Sequence, residues 1–353
     1  MKTASLTKKI ILHIGMHKTG TTAIQKAFDG QTADGVGYAE LSHTNHSVPL
    51  MTIFQDAPYY YWERIGVTGQ DITSRKRKFK AMLDAQLERS DIDTLVLSGE
   101  DIGWLSEPEK LAMVDFFEER GHSLRVICLT RHPSEFAKSA LQQRIQGGLR
   151  DVTEIHPRYV DRLRFFLGRL GRDCVTIADY TSLCQNFGDV VAGFNALADL
   201  PFVAPTLVRR NTALSAEATR IIFRLNQLTQ ELSPQYFQLL EQVVPIVSQC
   251  FPVTDVDSES LWRPAEQLLP ASLSEELDFL EHEFGIRYAM KQPEPSTQSV
   301  EEFLRIPDGF SLDSIQNHLS HSLNANFSRC TTLDGVLLRV LDLFTVGASG
   351  SGQ

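Results

Sequence analysis

Cysteine is scarce in this chain and badly placed for cross-linking. The five residues, Cys128, Cys174, Cys184, Cys250 and Cys330, are odd in number and scattered, with no Cys-x-x-Cys pair. That spacing speaks against a disulfide framework or a cysteine-built zinc site and fits reduced thiols. Long apolar runs are missing too. None approaches the roughly 20 residues that cross a bilayer. The run 10–14 follows a polar start and lacks a small-residue cleavage site, so no signal peptide is expected and the chain reads as cytoplasmic. Positive charge is in deficit, with 34 Lys and Arg against 44 Asp and Glu and a net charge of −10, which argues against a nucleic-acid partner. There are no internal repeats.

The deficit is uneven. Residues 1–28 hold Lys2, Lys8, Lys9, Lys18 and Lys26 with no carboxylate, and residues 125–150 hold Arg125, Arg131, Lys138, Arg144 and Arg150 against Glu135 alone. Two basic islands in an acidic chain point to a localised anionic ligand, chance clustering on solvated faces being the alternative. The run 75–80, Arg-Lys-Arg-Lys-Phe-Lys, reads as a solvated helix start rather than an import signal.

Residues 9–14 form a short β-rich run that ends in a glycine loop, 15–20, and residues 21–28 then carry Ala23, Ile24, Ala27 and Phe28 at helical spacing. Further strands are predicted at 94–98, 124–130 and 174–178, with helices at 75–89, 108–120, 133–146 and 157–170 between and after them. Such alternation predicts an α/β fold with a central parallel β-sheet flanked by helices. Helices then dominate, at 216–232, 234–247 and 273–284. The polar, proline-bearing stretch 291–298 reads as a linker, which sets a boundary between an α/β domain over 1–290 and a helical C-terminal extension over 291–353.

The loop Gly15-Met-His-Lys-Thr-Gly-Thr-Thr22 sits between a strand and a helix, the setting in which backbone N–H groups and a helix N-terminus hold an oxyanion. Gly15 and Gly20 have the spacing that opens a Walker A loop, yet Gly-Lys-Ser/Thr does not follow. Thr21 stands where the lysine would be, and the loop's lysine is Lys18. No strand ends in the acid of a Walker B site: 94–98 runs into Gly99-Glu100, and 124–130 into Arg131. A lysine inside the loop suits a phosphate chain shorter than a triphosphate, without an obligatory metal.

The segment 14–25 resembles the 5′-phosphosulfate loop of the PAPS-dependent sulfotransferases (PAPS being 3′-phosphoadenosine-5′-phosphosulfate), above all the bacterial and carbohydrate-acting branches. The resemblance implies the P-loop-like sulfotransferase fold. It implies that Lys18, Thr19, Gly20, Thr21 and Thr22 wrap the 5′-phosphosulfate, that His17 orients it, and that Lys18 meets charge on the leaving bridging oxygen. Arg131-His-Pro133 with Ser139 eight positions after Arg131 is similar to the family's 3′-phosphate site. The segment 209–215 resembles one that closes over the nucleotide, so Arg210 or Asn211 is a further donor contact, with a plain helix cap by Ser215 as the alternative.

For the general base the sequence leaves two candidates: Glu100, after a strand end in Ser98-Gly-Glu100, and His46, after the first helix. The resemblance extends over the first 215 residues, follows loosely to 290 and ends there. The expectation is therefore a sulfuryl transfer from PAPS to a hydroxyl or amine, with PAP leaving and no metal. The acceptor would be a saccharide, glycolipid or small natural product. A P-loop kinase or nucleoside-triphosphatase and a non-catalytic PAP- or PAPS-binding module are the alternatives. Acceptor contacts are expected from 33–69 and the late helices. The aromatic run 58–62 serves either as a sugar platform or as core.

Overall fold

The computed structural model describes residues 7–203, 213–230, 232–254, 259–290, 298–307 and 311–348. Its strands are β1 (Lys9–His13), β2 (Thr32–Ala33), β3 (Val36–Tyr38), β4 (Thr94–Ser98), β5 (Ser123–Thr130) and β6 (Val175–Asp179). Helices α1 (Thr21–Phe28), α2 (Ser47–Phe54), α3 (Tyr60–Arg64), α4 (Gln70–Glu88), α5 (Glu107–Glu118), α6 (Pro133–Gln146), α7 (Tyr159–Leu170), α8 (Tyr180–Phe187) and α9 (Val190–Ala198) alternate with them. Then follow α10 (Ala216–Leu228), α11 (Pro234–Cys250), α12 (Leu273–Phe284), α13 (Val300–Phe303), α14 (Leu312–Leu323) and α15 (Leu333–Ala348). Among the described residues no helix is long and apolar enough to cross a membrane.

The chain divides into two compact units. The first comprises Met1–His132, Pro157–Arg209 and Ser272–Tyr288 and carries the sheet, with strand order β2-β3-β4-β1-β5-β6. Every pairing is parallel except β2 with β3. The centre is apolar on both faces, as a doubly covered parallel sheet requires. Ile11, Val96, Ile127 and Leu129 meet Ile24 and Phe28 of α1 and Val191 and Phe194 of α9 in one cluster. On the opposite face Ile10, Leu12, Leu95, Leu97, Val126 and Cys128 are fully buried. Helix ends are chemically marked. Ser106 and Glu109 form a capping box on α5, and the Asp189 carboxylate accepts from the Val191 and Ala192 amides at the start of α9.

The predicted strands of the centre are present. The antiparallel β2–β3 edge is an addition to the expected all-parallel sheet. Its strands have two and three residues, too short for a period-2 signal, and they pair only because Asp34-Gly35 turns the chain back. Helix α4 begins at Gln70, five positions before the predicted start, so the basic run 75–80 lies within the helix, with Phe79 buried on its inner face.

The second unit comprises Pro133–His156, Arg210–Ala271 and Ala289–Gln353 and is helical in its described residues. The described residues of 298–348 belong to this unit. The Arg224 guanidinium of α10 grips Asp334 of α15 at 2.9 and 2.5 Å, and Arg220 donates to the Phe303 carbonyl at 2.6 Å. Asn226 is fully buried and fully used, donating to the Ile145 and Leu149 carbonyls and accepting from the Tyr236 hydroxyl at 2.6 Å.

Candidate active site

The loop that follows β1 is shaped by close approach. The Ile14 amide donates to the Ile127 carbonyl at 3.0 Å, which continues the β1–β5 ladder one residue past the strand. Gly15 then turns where a Cβ would lie 2.5 Å from Thr21 Oγ1 and 2.8 Å from His13 Nε2, so no side chain fits. Lys18 (φ 66°) and Gly20 (φ 75°) are both left-handed, and a Cβ on Gly20 would meet Val190 at 2.8 Å. The Thr19 hydroxyl donates to the Met16 carbonyl at 2.6 Å, and Thr21 reaches the same oxygen at 3.5 Å. Arg131 Nη1 donates to the Lys18 carbonyl at 2.9 Å and holds the loop from the end of β5. Helix α1 starts at Thr21 with Gly20 as N-cap, no side-chain cap and no acid in its first turn. Its first amides and dipole are thus left for an anion. Thr22 is exposed at this end.

Beneath the loop lies His13, fully buried, with Nδ1 2.9 Å from Ser98 Oγ and Nε2 without a partner. Burial pushes its pKa down to about 3, so the imidazole is neutral.

The second element is the 3-10 turn Glu100–Trp104 that follows β4. Burial raises the proton affinity of Glu100; Asp101 adds to the rise, while His17, Arg162 and Lys18 oppose it. Lys18 answers in the opposite direction. Burial lowers its proton affinity, Glu100 counteracts this, and Arg131 reinforces it. The two charges therefore sense each other across the mouth of the loop. No hydrogen bond is made to the Glu100 carboxylate among the described residues.

His17 is held at both ring nitrogens. Its Nε2 stands 3.0 Å from Asp101 Oδ1 and its Nδ1 3.4 Å from Arg162 Nη2. A guanidinium only donates, so Nδ1 is the acceptor and the proton sits on Nε2, facing the carboxylate. Asp101 also accepts from the Tyr59 hydroxyl and, at 3.3 Å, from Tyr60. Burial works against that carboxylate, but the bonds from His17 and Tyr59 outweigh it and hold its pKa below the usual range. Arg162 is itself 2% exposed and donates through Nη1 to the Glu100 carbonyl at 3.0 Å.

The structure brings together Lys18, His17, Thr19, Gly20, Thr21, Arg131 and Glu100, and it gives His46 other work. His46 is completely buried and stacks on Tyr38 with centroids 4.5 Å apart. Its Nε2 donates to the Ala39 carbonyl at 2.8 Å and its Nδ1 accepts from the Ser98 amide at 2.9 Å. With both nitrogens engaged by backbone and its pKa pushed by burial down to about 3, the ring has no lone pair to offer a substrate, so His46 is a strut between β3 and β4 and not a base. Ser139 lies half-buried on α6, in the second unit, so its pairing with Arg131 rests on sequence spacing alone. Arg210 and Asn211 lie outside the described residues. Ser215 caps α10, its hydroxyl accepting from the Ala218 amide at 3.1 Å.

Residues that the sequence reading did not single out are His13, Asp101 and Arg162. In the aromatic run Tyr59 and Trp62 are buried and Tyr60 is exposed. Trp62 is core, donating to Thr52 Oγ1 at 2.8 Å, whereas Tyr59 and Tyr60 reach Asp101. Among the described residues no cluster of three or more His, Cys, Asp or Glu is placed to hold a metal ion.

No family model matches the sequence, and no curated protein matches it. The solved structures similar to this chain include two sulfotransferases. One is the sulfotransferase from Alicyclobacillus acidocaldarius, at 14% identity and a TM-score of 0.36, covering 61% of this chain and 91% of that one. The other is the sulfotransferase domain from the curacin biosynthetic pathway, at 16% identity and a TM-score of 0.32, covering 57% of this chain and 76% of that domain.

Proposed function

We propose that this chain is a sulfotransferase that moves a sulfuryl group from PAPS to a hydroxyl or amine of a small-molecule or saccharide acceptor. The observation that carries the reading is the opposition of Lys18 and Glu100. A cation inside an uncapped, glycine-shaped loop faces a carboxylate that has no hydrogen-bond partner among the described residues and a raised proton affinity. A loop too tight for a Cβ at Gly15, with free amides at the start of α1, fits a phosphosulfate oxyanion.

In this reading Glu100 accepts the proton of the acceptor hydroxyl as its oxygen attacks sulfur. Lys18 faces the bridging oxygen as its bond to sulfur breaks and meets the charge that gathers there. His17, held by Asp101 and Arg162, is the positioning residue that keeps the loop and the Glu100 turn in fixed relation. Arg131 holds the loop through the Lys18 carbonyl. Positioning and charge stabilisation do most of the work.

Isothermal titration of PAP into the full chain, without magnesium, tests the donor half. Binding that Lys18→Ala weakens is the expected result. Absence of PAP binding, with ATP or GTP binding once magnesium is added, would replace the reading by a phosphotransferase one. Binding without PAP formation from PAPS across a broad acceptor panel would reduce it to a binding module.

A further inference from the structure

Beside the Glu100 turn the first unit holds a cavity of about 250 Å³, near the small end of ligand sites. Its lining charges are Lys110, Arg158 and Arg162 against Glu107 and Asp161, and Trp104 stands among them. Trp104 is 51% exposed, an unusual cost for an indole. Its ring lies 5.2 Å from the Arg158 guanidinium, 5.3 Å from that of Arg162 and 6.0 Å from the His17 ring.

The buried cations of this cavity are compensated only through space, Lys110 by Asp161 and Glu107 and Arg162 by Asp101 and Glu100. Lys110 is only 3% exposed and makes its hydrogen bond to a neutral group, the Asp161 main-chain carbonyl, at 2.5 Å. Burial, with Arg162 nearby, pushes its pKa down to about 8. Arg162 is 2% exposed and its Nε has no partner. Among the described residues none of the three cations forms an ion pair with a carboxylate. Two buried cations without an ion-pair partner, beside a third at the exposed mouth, favour an anion in the same space.

We infer that this cavity is the acceptor subsite and that it selects a saccharide bearing a compact oxyanion, a carboxylate or a sulfate ester, packed beside Trp104. The inference rests on the sulfotransferase reading and names its substrate class. Its connection to the chemistry is direct. Trp104 ends the same 3-10 turn that Glu100 begins, and Arg162 both lines the cavity and donates to the Glu100 carbonyl. A sugar whose anion is anchored on Arg158 and Lys110 would lie beside the end of the turn that Glu100 begins, and a planar guanidinium together with an ammonium suits either oxyanion. Asp161 and Glu107, at the exposed rim, would repel a second negative charge and so favour a singly charged ring.

The experiment measures binding of 4-nitrophenyl β-D-glucuronide, the corresponding 6-sulfated glucoside and the neutral glucoside to the full chain saturated with PAP. The expected result is a preference for both anionic sugars over the neutral one of about 10-fold or more, the order expected for hydrogen bonds to a charged group. Arg158→Gln, at an exposed position, and Lys110→Met, which keeps the apolar stem, each reduce that preference toward unity, and Trp104→Ala weakens all three sugars alike. A preference for one anionic sugar only would assign the subsite to carboxylates or to sulfates. Equal affinity for the three, no binding of any, or a preference that survives both cation substitutions would overturn the inference. Failure of PAP to bind in the first place would instead count against the sulfotransferase reading.

Discussion

The loop after β1 and the turn after β4 lie side by side at one end of the sheet, and they are built in opposite ways. The loop is a backbone device. Its shape comes from Gly15, Gly20 and a left-handed Lys18 within six positions of one another, and its bonds are mostly internal, such as Thr19 to Met16. The turn is a side-chain device. Glu100 and Asp101 are placed by Tyr59, His17 and Arg162, which arrive from three other parts of the chain. A site of this kind has one half written locally and one half assembled by tertiary contact, and the two halves should fail differently.

The largest effect is expected in the loop. Gly15→Ala would force a Cβ against Thr21 Oγ1 and should abolish PAP binding by titration, while Lys18→Ala should lower kcat by about 10² to 10³ and weaken PAP. On the other side, Glu100→Gln should lower kcat by about 10² to 10⁴ with PAP affinity retained. If that substitution costs PAP affinity instead, the turn is part of the donor site and the distinction collapses.

The pH profile of kcat/KM sharpens the same contrast. Glu100 must be ionised to act and its proton affinity is raised, so activity should rise with pH through a midpoint above the usual glutamate range. Lys18 must be charged and its affinity is lowered, so activity should fall at a pH below the usual lysine range. Glu100→Gln should remove the acid limb and leave the alkaline one.

His46→Gln should act on stability rather than chemistry. Loss of two buried hydrogen bonds is worth roughly 1–3 kcal/mol by denaturant titration, with PAP binding kept. The sign with pH follows from a folded pKa of about 3 against an ordinary 6.5. The unfolded chain binds the proton that the folded one refuses, so stability is intact above pH 6.5 and falls as the pH drops from there toward 3. His13 adds the same slope. The variant should therefore be less acid-sensitive than the parent. A change in kcat larger than about 10-fold at unchanged stability would return His46 to the catalytic group.

The smallest effect is assigned to Tyr59→Phe. One of the bonds that hold Asp101 is lost, others remain, and kcat should fall by about 3- to 10-fold with PAP affinity unchanged.

Legibility in the sequence follows the same division. The central strands were readable because each is a short, mostly apolar run that leads into glycine or arginine, and the loop because its glycines and lysine are neighbours in the chain. That Glu100 follows a strand end was readable from the apolar run before it. His46 was misassigned: a histidine after the first helix has the same local pattern whether its nitrogens meet solvent or the Ala39 and Ser98 backbone. Arg162 gives no local signal, since a cation on a helix is ordinarily solvated, and only the packing of α7 places it between His17 and Glu100.

By itself the sequence determined the parallel centre of the sheet and the turn at Gly15 and Gly20, because backbone conformation and apolar periodicity are local properties. Which carboxylate keeps a raised proton affinity, which histidine is a strut and where a cluster of cations lines a cavity were decided by tertiary structure alone. Burial, the distance between charges and hydrogen bonds between remote segments arise only when those segments are brought together, and they shift the proton affinities of Glu100, Asp101 and Lys18.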